Sequence, residues 1–117
     1  MNMPLDEDRR SEHRLFIRLP IIVTGEIEGG EVWRESTRTI NVSVGGTLIN
    51  LIHPVQRDEQ FLLRANFPNG AASLFLVKVV WAVAEQGGMK QIGIEILDST
   101  EEWARLFLSW ASDVRDY

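Results

Sequence analysis

Turn signals divide this chain into short segments, and no other feature constrains its fold as much. Gly29-Gly30, Gly45-Gly46, His53-Pro54, Pro68-Asn69-Gly70 and Gln86-Gly87-Gly88 each interrupt an apolar run. Asn-Gly and Gly-Gly tolerate the positive φ that tight hairpins need. The runs between the turns are short and rich in β-branched residues, which is the composition of strands. Ile21-Ile22-Val23-Thr24 has no helical period and forms the heart of the first strand. Pro20 puts the start of that strand at an edge or a bulge, because proline donates no ladder hydrogen bond. Residues 32–41, 47–52, 60–67, 74–84 and 91–97 read as five further strands.

The period changes near the end of the chain. Trp103, Leu106, Phe107, Trp110 and Val114 fall on one helical stripe. Ser99 and Glu102 have the spacing of a capping box. This predicts a helix over about 100–114. Six short strands and one amphipathic helix predict a mainly β molecule: a six-stranded antiparallel β-barrel with a C-terminal α-helix against the barrel or across one mouth. At 117 residues a single domain is expected, burying about two-thirds of its unfolded surface. Residues 1–14 are polar and aperiodic and read as a flexible, arginine-bearing N-terminal tail. Residues 15–117 form the domain.

Composition excludes several classes of function. The chain has no cysteine, so disulfides, thiolate zinc sites and cysteine nucleophiles are absent. MNMPLDED lacks the basic-then-apolar order of a secretory signal, and no apolar run approaches the ~20 residues of a membrane span. A cytoplasmic protein with no membrane association is expected. The net charge of −5 argues against DNA or RNA polymers as partners. It also weighs against a small barrel that binds single-stranded nucleic acid through its aromatics and basic tail. Yet four of the twelve basic residues, Arg9, Arg10, Arg14 and Arg18, lie within ten positions. That clustering fits a local anion site.

Two motifs can carry the chemistry of such a site. The first is Arg9-Arg10-Ser11-Glu12-His13-Arg14. A guanidinium forks onto phosphate oxygens, or onto guanine O6 and N7, with two parallel hydrogen bonds, and it also stacks on bases. In an extended chain Arg10 and Arg14 project to one side about 13 Å apart. The second is Asn41-Val42-Ser43-Val44-Gly45-Gly46. Asn41 offers a donor and an acceptor, Ser43 a hydroxyl that can bond a base or brace the turn, and Gly46 close backbone approach and free φ. No catalytic constellation is present. Ser43 lacks the flanking glycines of a nucleophile elbow, and no phosphate-binding loop or zinc-protease motif occurs. His13 and His53 stand far apart, without a metal-ligating cluster, and read as surface residues. A non-enzymatic binding protein without cofactor or metal is expected.

RRxxxR, then a strand pair, then Asp or Asn, x, Ser, x, x, Gly, resembles the signature of PilZ domains, which bind cyclic di-GMP. Val79-Val80-Trp81, Gly93-Ile94-Glu95-Ile96 and the terminal helix extend the likeness to about residues 9–112. The resemblance implies a single-domain cyclic di-GMP receptor. Its ligand contacts would be Arg9, Arg10, Arg14, Asn41, Ser43 and Gly46, with the tail drawn onto the barrel on binding. Asn41 stands where the family more often has Asp, and an amide accepts less strongly than a carboxylate. Trp81 has two readings, a core residue or a partly exposed ring that stacks a guanine. An arginine at position 9 implies that a stacked ligand dimer is preferred to a single ligand. With no output domain, the chain would relay the signal to an effector protein of unknown identity. The alternative is an adaptor of the same fold that works without nucleotide.

Overall fold

Alternation along each strand decides which side chains meet in the interior. In Gln60–Asn66, Phe61, Leu63 and Ala65 are buried while Gln60, Leu62, Arg64 and Asn66 face out. The computed structural model describes residues 14–27, 29–66, 70, 72–82 and 87–115, with side chains described up to residue 111. Its elements are β1 (Arg14–Leu15), β2 (Pro20–Glu26), β3 (Val32–Ser43), β4 (Gly46–Leu51), β5 (Gln60–Asn66), β6 (Ala72–Ala82), β7 (Lys90–Ile96) and α1 (Thr100–Arg115).

The sheet order is β1-β3-β2-β5-β6-β7-β4, and β4 also pairs with β3. The last pairing closes β2 to β7 into a six-stranded antiparallel barrel, as expected, with β1 added outside the ring on β3. Closure leaves the ring without free edges. The interior holds Val23, Ile49, Leu51, Leu63, Phe75, Val77, Val79 and Ile92, all fully buried. Burying such a side chain stabilises the fold by about 1.5–3 kcal/mol.

The structure corrects the sequence reading in several places. The tail was expected to run through residue 14, but Arg14 and Leu15 form a strand with Ser43 and Val42. Two residues are too few to show alternation. Thr39 supplies the anchor that a pattern cannot reveal: its buried hydroxyl donates to the Ile17 carbonyl (2.5 Å) and accepts from the Leu19 amide (2.8 Å). β3 extends two residues beyond the expected end, so the second motif lies largely inside a strand. Pro20 is simply the first residue of β2, opposite Arg38, where a missing donor is harmless. His53 is no plain surface residue, because its ring stacks on Trp33 with centroids 4.0 Å apart. The tip of the Pro68-Asn69-Gly70 turn lies largely outside the described residues.

α1 begins differently from a capping box. Ser99 has a φ of 51°, in the left-handed region, and the Glu102 carboxylate accepts from the Ser73 hydroxyl on β6 at 2.5 Å. Glu101 and Glu102 still oppose the positive end of the helix dipole. The apolar stripe behaves as expected: Trp103, Leu106, Phe107 and Trp110 are buried in the common core. Val114 lies beyond the described side chains.

Candidate functional site

Two β-bulges shape one end of the barrel. Along β3 and β4, Thr39 pairs with Ile49 but Asn41 with Leu48, so β3 carries one extra residue. Along β6 and β7, Val79 pairs with Ile94 but Trp81 with Gly93, so β6 also carries one. A bulge bends its strand and re-aims the side chains beyond it. Here the residues just past the two bulges, Asn41 and Trp81, line one concavity of about 330 Å³. That is the lower end of the size range for small-molecule sites.

The cavity gathers the motif residues from four strands. Arg14, Asn41, Ser43, Gly46 and Trp81 all line it. Arg14 sits directly opposite Ser43 in the β1–β3 ladder, so the last residue of the first motif abuts the middle of the second. Arg9 and Arg10 lie outside the described residues. Asn41 is largely buried, and its carbonyl accepts from the Thr47 hydroxyl at 2.6 Å. The Ser43 hydroxyl reaches the Gly46 carbonyl at 3.4 Å, longer than a strong O–H···O bond.

The glycine of the motif has a different role from the expected one. Gly46 is absent from the positive-φ positions of the chain, and a Cβ built on it would run into the Ile94 carbonyl oxygen across the β4–β7 ladder. Its smallness therefore serves strand packing, not backbone freedom. Gly93 is a second such position, because a Cβ there would collide with the Trp81 ring. The indole thus lies over a bare stretch of backbone. Trp81 is 41% exposed, which rules out the simple core reading, and it lines the cavity.

Two residues escaped sequence reasoning. Glu95 lines the cavity opposite Gly46 and brings a carboxylate, an acceptor for N–H donors, to the cavity that Arg14 also lines. Only the β4–β7 register reveals this. By its spacing Trp103 belongs to the apolar packing stripe of the helix. Its indole Nε1–H also donates to the Ser43 carbonyl at 2.8 Å, 60 residues away in sequence. The same ring packs edge-on against Phe75 and Trp110, at 5.1 and 5.7 Å. The second motif is thus fastened to the first turn of α1. An arginine, amide and hydroxyl groups, a carboxylate and a partly exposed indole can together hold a ligand with phosphates and planar bases.

The model of the PilZ domain family matches residues 8–110. No curated protein matches the chain in sequence. Among solved structures, the PilZ domain of YcgR from Escherichia coli with c-di-GMP is similar at a TM-score of 0.67 and 16% identity, over 92% of this chain and 95% of that one. The Bacillus subtilis inhibitor of motility MotI/DgrA gives 0.68 and 16%, over 92% and 52%. The complex of MrkH from K. pneumonia with c-di-GMP gives 0.70 and 15%, over 92% and 55%. At these identities the likeness is one of fold. The chain spans nearly all of the isolated domain and about half of the two longer proteins.

Proposed function

The chain belongs to the PilZ domain family, and we propose that it is a receptor for cyclic di-GMP that relays the nucleotide to an effector protein. One observation carries the reading: Arg14 pairs with Ser43, so the two motifs meet at a single cavity that an exposed tryptophan also lines. The YcgR and MrkH neighbours were each solved with c-di-GMP, which agrees with it.

In this reading Arg14 forks onto a phosphate or a guanine edge, and Arg10 takes a second part of the ligand. Asn41 bonds a guanine edge, and Ser43 supplies a hydroxyl. Trp81 stacks one base on its open face. Gly46 acts by letting β4 approach β7, which sets the cavity's wall. Charge-assisted contacts contribute about 1.5–3 kcal/mol each and a stacked base about 1–3 kcal/mol. Three or four such terms, less the cost of ordering, reach the roughly −8 kcal/mol of a micromolar site. Arg9 favours a stacked pair of ligands. No catalytic step is assigned, and the chain acts by binding.

Calorimetric titration with cyclic di-GMP tests the reading. Binding with a Kd of about 1 μM or tighter is expected, with about two ligands per chain. A stoichiometry near one removes the role of Arg9 but keeps the receptor. Absence of heat at tens of micromolar, roughly −6 kcal/mol, removes the receptor.

A further inference from the structure

Three rows of outward residues on the barrel wall around β2 and β5 carry arginines and no acid. Outward positions alternate along each strand, and the register aligns them in rows. One row runs Arg34, Thr24, Leu62, Leu76 across β3, β2, β5 and β6. The next runs Ser36, Ile22, Arg64, Leu74. A third begins with Arg38 opposite Pro20. Arginine and aliphatic side chains thus interleave on one continuous surface. Leu74 is 59% exposed and Leu62 41%, while Ile22 and Leu76 are half-buried. The three rows themselves hold no acid, on a chain whose net charge is −5; the acids at their margin are Glu26, exposed on β2 opposite Val32, and Asp98, whose carboxylate accepts from the Leu76 amide at 2.8 Å. Glu35, the acid nearest in sequence, is engaged elsewhere: its carboxylate accepts from the Ile52 and His53 amides.

The wall is also not flat. Pro20, Ile22, Ser36, Arg64 and Asn66 line a second concavity of about 330 Å³, separate from the nucleotide cavity. It is large enough to receive side chains and is lined by one guanidinium, one amide and two hydroxyl residues, Ser36 and Thr37, of which Thr37 donates to the Asn50 carbonyl. Contiguous apolar surface rimmed by polar residues marks interaction sites. Arginine at such a surface recognises carboxylates in bidentate fashion.

We propose that this wall docks an acidic, amphipathic segment of a partner protein, with aliphatic side chains on Leu62 and Leu74 and a carboxylate in the concavity beside Arg64. The proposal deepens the relay reading above, and rests on it for the existence of a partner. Charge complementarity selects the occupant. Half of the positions are apolar, which suits a protein segment better than a polyanion. The rows hold no aromatic ring on which nucleic-acid bases would stack, and the molecule's net negative charge repels long polyanions.

The test is a titration of the full ¹⁵N-labelled chain with a synthetic peptide of alternating Glu and Leu, followed by amide shifts, with and without cyclic di-GMP. Shifts confined to β2, β5 and β6 around Ile22, Arg64 and Leu74 are expected. Affinity should fall at least tenfold in Arg64→Glu and, as a second variant, in Leu74→Ser. Both variants should bind cyclic di-GMP as the wild type does, which also shows that they fold. Peptide shifts elsewhere, or unchanged peptide affinity in both variants, overturn the proposal. So do the same shifts produced by phosphatidylglycerol vesicles and not by the peptide, which would make the wall a membrane surface. If the wild type ignores cyclic di-GMP but the peptide still maps to this wall, the receptor reading fails and the docking surface stands.

Discussion

Gly46 shows how a residue can carry a constraint that its motif does not suggest. Its place in Asn-x-Ser-x-x-Gly drew attention to it, and glycine suggests free φ or close ligand approach. The constraint instead comes from the Ile94 carbonyl on a neighbouring strand, which no local pattern reveals. Gly46→Ala is therefore expected to destabilise the fold by about 1–3 kcal/mol, as overpacking does, and to lower Tm by several degrees even without nucleotide. Thermal unfolding checks this; an unchanged Tm with lost binding would restore the ligand-approach role. Trp81 makes the converse case. Sequence left it between core and surface, and its register against Gly93 places the ring half in solvent. Trp81→Ala should weaken cyclic di-GMP binding by about 1–3 kcal/mol, roughly 5- to 150-fold, with little loss of stability. Equal affinity in the variant would assign the ring to packing alone.

Elements were legible where side chains repeat and illegible where single contacts decide. Alternating apolar residues and glycine turns marked the six barrel strands, and the Trp103–Trp110 stripe marked the helix. β1 escaped because it is two residues long and is held by the Thr39 hydroxyl through the chain beyond it. The bulges at Ile40 and Val80 escaped for a similar reason: an extra residue in one strand is visible only against its partner. The helix starts where expected, at Thr100, but the capping box does not form, because Glu102 answers Ser73, a residue of β6, rather than its own N-terminus. The coupling of α1 to the second motif is the most consequential of these contacts. Trp103→Phe keeps most of the apolar volume and removes the donor to the Ser43 carbonyl. It should cost about 1–3 kcal/mol of stability, the penalty for an unsatisfied buried acceptor, measured by urea unfolding. A loss no larger than a few tenths of a kcal/mol would mean that water replaces the indole.

At the scale of the molecule, closure of the barrel brings together residues that sequence holds apart. Arg14, Asn41, Trp81 and Glu95 come from four strands and line one cavity. The sequence supplied the first three and their chemistry; the closing β3–β4 ladder and the β4–β7 register supplied the fourth. The molecule's net negative charge means that an anionic ligand must be won by local guanidinium groups against the overall field. Arg14, the one motif arginine among the described residues, lines the cavity and is therefore the residue on which the receptor reading depends. Parallel calorimetric titrations of the wild-type chain and of Arg14→Ala with cyclic di-GMP measure that dependence. The expected result is binding at about micromolar or tighter for the wild type. Arg14→Ala should be weaker by about 1.5–3 kcal/mol, or roughly 10- to 100-fold, with Tm unchanged. Equal binding by the two proteins, or none by either, would contradict it.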